Sequence, residues 1–137
     1  MIIILNKIKV ITIYRKFLYE SINKFHNAGY KGLYNGETAD DIFKRKKLRY
    51  REDILDNLNK DELVTNLFRI NQTKQKLLKD NVQGEKEAKD VHYEVSQKVR
   101  KAIADIGGMM PEEMLTPKKS FKELEKEKIR NKRAKET

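Results

Sequence analysis

Hydrophobic positions recur at helical spacing along most of the chain, most regularly between positions 85 and 106. There Ala88, His92, Val95, Val99, Ala102 and Ile106 step alternately by four and three, flanked by Val91 and Ile103. That spacing puts them on one stripe of a helix. Gly107 and Gly108 follow at once, as a left-handed cap requires. Upstream, from Asp61 to about Val82, Leu63, Leu67, Ile70, Leu77 and Val82 predict a second long helix, with Val64, Phe68 and Leu78 widening its stripe. Gly84 separates the two, and so short a connection predicts an antiparallel hairpin.

Shorter elements are marked by their ends. Thr38 with Asp41 three residues later forms a capping box, so a helix is expected to run to about Lys46, with an acidic start and a basic end that suit its dipole. A short helix fits Glu52 to Leu58. Ser120 with Glu123 opens a final helix whose large apolar residues are Phe121, Leu124 and Ile129, enough to dock one turn before the rest enters solvent. Three glycines, at 29, 32 and 36, predict a turn or loop after Asn27, with Tyr30, Leu33 and Tyr34 tucked onto the core. The first 13 residues are rich in isoleucine and valine, as a strand would be, but no comparable second strand follows to pair with them. A helix from about Ile11 to Phe25 is the preferred reading. The expected division is an apolar, basic leader over 1–25, a helical core module over 26–110, a proline-containing connector over 111–119 and a charged helix over 120–137. The expected fold class is all-α, with about five helices around a central antiparallel pair of long ones.

Composition agrees with this. With 137 residues, 38% of them charged and 38% hydrophobic, no tryptophan and two prolines, the chain suits one domain of charged amphipathic helices. Its net charge of +10 comes from the two ends: residues 1–36 carry six cations and one anion, and residues 118–137 nine cations and four anions. Such an excess attracts nucleic acid, an anionic membrane or an acidic partner. Cysteine is absent, which excludes disulfides, thiolate metal sites and cysteine nucleophiles. The opening apolar run stops at Asn6 and Lys7, too short to span a bilayer and without a signal-cleavage pattern, so a cytoplasmic location is expected.

Catalytic chemistry has little to work with. His26 and His92 are the only histidines and neither sits in a ligand spacing. His92 reads as a packed, hydrogen-bonded core residue, and His26 as a loop or cap residue. Adjacent carboxylates such as Asp40 with Asp41, or Glu112 with Glu113, point in different directions along a helix and suit solvation better than acid–base work. No phosphate-binding loop is present. "GYKG" at 29–32 matches the phosphate clamp of KH domains but lacks the strands that would present it, so a tight turn explains it better. The densest basic run is Lys44, Arg45, Lys46, Lys47, Arg49 and Arg51, with Tyr50 inside it as a possible base-stacking ring. Taken locally, the run suits a polyanion contact and a dipole-matched helix end equally well. No catalytic residue, cofactor, metal or small-molecule substrate is expected.

In "FHNAGYKGLYNGETADDIFKRKKL", "ILDNLNKDELVTNLFRINQTKQKL", "HYEVSQKVRKAIADIGGMMPEEMLTPKKS" and the following "FKELEKE", the chain resembles the DNA-damage-inducible protein D (DinD) family over about residues 24–127. The family pattern falls on Gly29, Tyr30, Gly32, Leu33, Tyr34 and Gly36, then Asp41 and Ile42. It continues through Leu63, Asn66, Leu67, Phe68, Arg69, His92, Val99 and Arg100 to Gly107, Gly108, Pro111, Thr116 and Pro117. The resemblance implies a role in the bacterial SOS response, on DNA or on the recombinase filament that forms on single strands. It covers the carboxy-terminal half of the family pattern, without the amino-terminal Bro-type domain, as in a truncated copy, a split gene product or a remnant.

The function expected is therefore a non-catalytic DNA-damage accessory. It would bind nucleic acid, single-stranded DNA first, or a recombinase filament, through Lys44, Arg45, Lys46, Lys47, Arg49, Tyr50 and Arg51. The alternatives are a structural or oligomerisation module, docking by its tail helix and apolar amino terminus, and a non-functional remnant of a larger protein.

Overall fold

The helix starts at Thr38 and Ser120 and the helix end at Gly107 lie where their caps predict. The computed structural model describes residues 2–49 and 53–136, and in the first helix the side chains of Thr12, Ile13, Arg15, Lys16 and those from Leu18 onward. Among the described residues there are five α-helices and no strand: α1 (Ile2–Leu33), α2 (Ala39–Lys46), α3 (Lys60–Lys79), α4 (Glu85–Ile106) and α5 (Phe121–Glu136), with 3-10 turns at Leu55–Asn57 and Pro111–Glu113. The all-α expectation holds. Thr38 and Asp41 close a complete capping box at α2, Gly107 ends α4 in the left-handed region at φ 85°, and Ser120 accepts the Glu123 amide at the start of α5. Among the described residues of 52–58, where a short helix was expected, only a 3-10 turn forms.

The glycine-rich stretch is where expectation and structure part. α1 runs without a break across the predicted boundary at Phe25 and through Gly29 and Gly32; only Asn35 and Gly36 leave the right-handed region, at φ 54° and 97°. The two helical glycines serve packing. A Cβ on Gly29 would lie 2.3 Å from Nε2 of His92, and one on Gly32 would lie 2.5 Å from the Tyr93 carbonyl oxygen. Bare backbone at these positions lets α4 approach α1 more closely than any side chain would permit. Consequently α1, rather than α3, is the principal partner of α4, although α3 also packs on it. Tyr30, Leu33 and Tyr34 do enter the core as expected, but from the last turn of α1 and the residue after it; they meet Ile42 of α2, Ile54, Leu58, and Val95 and Val99 of α4.

α3 inverts the pattern predicted for it. Its buried residues are Glu62, Asn66, Arg69 and Thr73, while Val64, Leu67, Phe68, Ile70 and Leu78 are exposed. On α4 the buried face is His92, Val95, Ser96 and Val99, and Ile106 is 83% exposed. The connector is held by polar contacts. Asn59 donates to the Leu115 carbonyl, and Arg100 makes a bidentate pair with Glu112 at 2.7 and 2.8 Å while also donating to the Leu33 carbonyl. α5 docks by its first turn on the Leu55–Asn57 turn, where the Lys122 amide reaches Asp56. Beyond that turn α5 is largely exposed, with Leu124 and Ile129 both about half-exposed. Among the described residues no helix is long and apolar enough to cross a membrane.

Candidate functional site

The polar residues of α3 belong to one hydrogen-bonded chain through the interior. Lys46 Nζ donates to Thr116 Oγ1 at 3.1 Å and to Glu62 Oε1 at 2.7 Å. The other Glu62 oxygen accepts a hydrogen bond from the Tyr34 hydroxyl, which in turn accepts from Asn66 Nδ2 at 2.9 Å. Asn66 Oδ1 accepts from Arg69 Nε at 3.1 Å, and Arg69 NH1 lies 2.9 Å from His92 Nε2. The ring closes the chain with Nδ1 2.9 Å from the Phe25 carbonyl. Both partners fix the tautomer: a guanidinium can only donate, so Nε2 accepts and Nδ1 carries the proton.

Burial sets the chemistry of this chain. Desolvation, and then the Arg69 charge, push His92 down to about 4, so the ring is neutral at ordinary pH. Burial, with Glu62 next to it, raises Tyr34, and burial lowers Arg69. The Arg69 guanidinium also stacks over Tyr30, 4.7 Å from the ring centre. Among the described buried side-chain polar atoms only Ser96 Oγ lacks a partner. Every other group is satisfied, as a buried polar network must be if it is to specify one packing rather than destabilise it. The chain ties α1, α2, α3 and α4 to one another.

The predicted basic run is divided by the same architecture. Lys46 lies inside, its side chain 1% exposed, which removes it from any surface contact. Arg45 is held against Glu37 at 2.8 Å, reaches the Glu112 carbonyl, and sits 5.9 Å from the Tyr34 ring centre. Lys44, Lys47 and Arg49 are exposed. Tyr50 and Arg51 lie outside the described residues. A signal for this division was available: Ile42 and Lys46 are four apart and share one face of α2, from which Lys44 is turned away.

Lys44 and Lys47 border a groove of about 820 Å³ between α1 and α2. Its α1 wall carries Tyr19, Asn23, His26 and Asn27, and Phe43 and Asp40 come from α2. Asn27 accepts the Ala39 amide at 2.9 Å, which fixes the start of α2 on α1. Burial, and then Arg69, lower the pKa of His26, which lines the groove. The aromatic and amide residues of α1 were not expected at this site, because the sequence signal for it was charge density alone. Among the described residues no cluster of His, Cys, Asp or Glu is arranged to hold a metal ion.

Fold and site together define an all-helical module with a hydrogen-bonded polar interior and a cationic, aromatic groove on its surface. The chain belongs to the DinD C-terminal domain family, whose profile matches residues 18–124. Over 101 residues it is 46% identical to DNA damage-inducible protein D of Escherichia coli (strain K12). That match covers 74% of this chain and 37% of the Escherichia coli protein. No solved structure matches the chain. The family span takes in the whole polar chain and the groove, and ends at the first turn of α5.

Proposed function

We propose that this protein is a non-catalytic accessory of the bacterial DNA-damage (SOS) response that acts in the cytoplasm by binding nucleic acid, alone or within a recombinase filament, through the α1–α2 groove. The observation that carries the reading is the outward pair Lys44 and Lys47 beside Tyr19 and Phe43 in one groove. Cations that meet phosphates next to rings that can stack on bases are what single-strand binding requires. Membership of a family with a DNA damage-inducible relative supports the setting. A binding role, not catalysis, is supported by the interior histidine, whose two nitrogens are both engaged in structure.

Fluorescence anisotropy with a labelled single-stranded oligonucleotide tests this, with and without recombinase. Binding should fall as salt rises, with a log–log slope of about −0.7 per phosphate contact. Lys44→Gln with Lys47→Gln should weaken it, and an absence of binding at low salt in both arms overturns the proposal. A second reading, docking to another protein chain, is favoured by the exposed Ile13, Leu18 and Ile22 of α1 and Leu67 and Phe68 of α3. A monomer by sedimentation at high concentration counts against its self-association form.

A further inference from the structure

The groove does not end at α2. Two further clefts continue from it across α1 to the α4 side. The first shares Asn27 with the groove and adds Lys24, Lys31, Lys89 and Tyr93. The second shares Lys31 and Tyr93 with the first and adds Asn35, Gln97 and Lys101. Followed through these shared residues, the three clefts line a route from Lys44 and Lys47, over α1 at Asn27, to Lys101.

Its chemistry is uniform along its length. Six lysines border the path, at 24, 31, 44, 47, 89 and 101, against the carboxylates of Asp40 and Asp90. None of the six forms an ion pair among the described residues, whereas Lys76, Lys98 and Lys119 each pair with a carboxylate. Arg100 also borders the last cleft but is held by Glu112. Tyr19 and Tyr93 stand at separate points on the path, 67% and 41% exposed. Side-chain amides from Asn23, Asn35 and Gln97 lie between the cations.

We infer that this path is the track of one nucleic-acid single strand, which wraps α1 from the α2 side to the α4 side and stacks a base on Tyr93. The inference rests on the groove being a polyanion site and adds its extent and a second set of residues. From Tyr19 to its end at Leu33 the helix advances about 21 Å, room for roughly six phosphates at the 3.4 Å spacing of a stacked strand. A duplex offers Tyr93 no unpaired base face and cannot follow so tight a path around one helix.

The test uses the full chain and labelled oligothymidylates of about 4, 8 and 16 nucleotides, which bracket the usual site sizes, together with a duplex of the longest. Affinity should rise from the shortest to the middle length and then level off, and the duplex should bind more weakly. Lys89→Gln with Lys101→Gln should lower affinity for the middle length and make the salt slope shallower by about 1.4, two phosphate contacts at about 0.7 each. Tyr93→Ala should weaken binding about five-fold or more with the salt slope unchanged, the signature of lost stacking. If these α4-side variants bind like the wild type while Lys44→Gln with Lys47→Gln is impaired, the track is overturned and the α1–α2 groove stands. Tighter binding of the duplex, or displacement by polyglutamate as effective as by oligothymidylate, also overturns it. If the wild type binds no oligonucleotide at low salt, with or without recombinase, both readings fall.

Discussion

Replacing Gly32 by alanine should destabilise the protein, although alanine is the better helix former. At an exposed helical site the exchange gains about 1 kcal/mol. At Gly32 the new methyl would meet the Tyr93 carbonyl oxygen at 2.5 Å, Ser96 Cβ at 2.7 Å and the Gln97 amide nitrogen at 3.1 Å. These are main-chain atoms and a Cβ, with no rotamer to yield, so α1 and α4 would have to part by close to 1 Å. A gap of that size forfeits roughly a quarter to a half of each dispersion contact across the interface. Overpacking costs about 1–3 kcal/mol; with the interface loosened as well, and the propensity gain set against it, the net loss should be about 2–3 kcal/mol. Urea unfolding followed by far-ultraviolet circular dichroism measures it. Ala102→Gly, on an exposed turn of α4, is the control and should lose about 1 kcal/mol. A Gly32→Ala variant as stable as the wild type, or more so, would falsify the account of the glycines as close-approach positions.

Two further predictions concern the interior. The native pKa of His92, about 4, lies below its ordinary 6.5, so the unfolded chain takes up the proton first. Stability should therefore be full above pH 6.5 and fall toward pH 4, with about 2 kcal/mol lost by pH 5; urea midpoints across that range should show the decline, and His92→Gln should flatten it. Lys46→Met leaves Glu62 buried without its cation and should cost about 3–5 kcal/mol, part of which Glu62→Gln in the same chain should restore. A loss below about 1 kcal/mol in that urea series would mean the pair contributes no more than a surface one.

What could be read from the sequence is what local rules decide. The capping box of Thr38 and Asp41, the stop at Gly107 and the span of α4 each depend on residues within one or two turns of each other, and each is found. The continuation of α1 through Gly29 and Gly32 depends on a helix some 60 positions away. Glycine's weak helix propensity points to a turn, and only the approach of His92 and Tyr93 shows that the missing side chains are needed inside a helix. The polar face of α3 was hidden for a related reason. Glu62, Asn66, Arg69 and Thr73 keep helical spacing as well as the leucines do, but hydrophobic periodicity counts a charged residue as exposed. Burial of Glu62 becomes possible only once Lys46 arrives from α2 and Tyr34 from the end of α1.

The site shows the same limit at closer range. A run of cations reads as a single patch, yet a helix turns about 100° per residue, and a run of four necessarily faces both inward and outward. In α2 the inward share is Lys46, behind Ile42, and Arg45 lies across Glu37 and Tyr34. Charge density therefore overstates the surface available to a polyanion by the cations that hold α2 in place. It also understates that surface, because Lys24, Lys31, Lys89 and Lys101 are too far apart in sequence to register as a cluster and come together only through the close packing of α1 on α4. Gly29 and Gly32, which lie inside a helix and not in the turn with Gly36, thus bring the α4 lysines up to α1. Parting the two helices at Gly32 would open the path at its centre, where Lys31 and Tyr93 face each other across the helix pair.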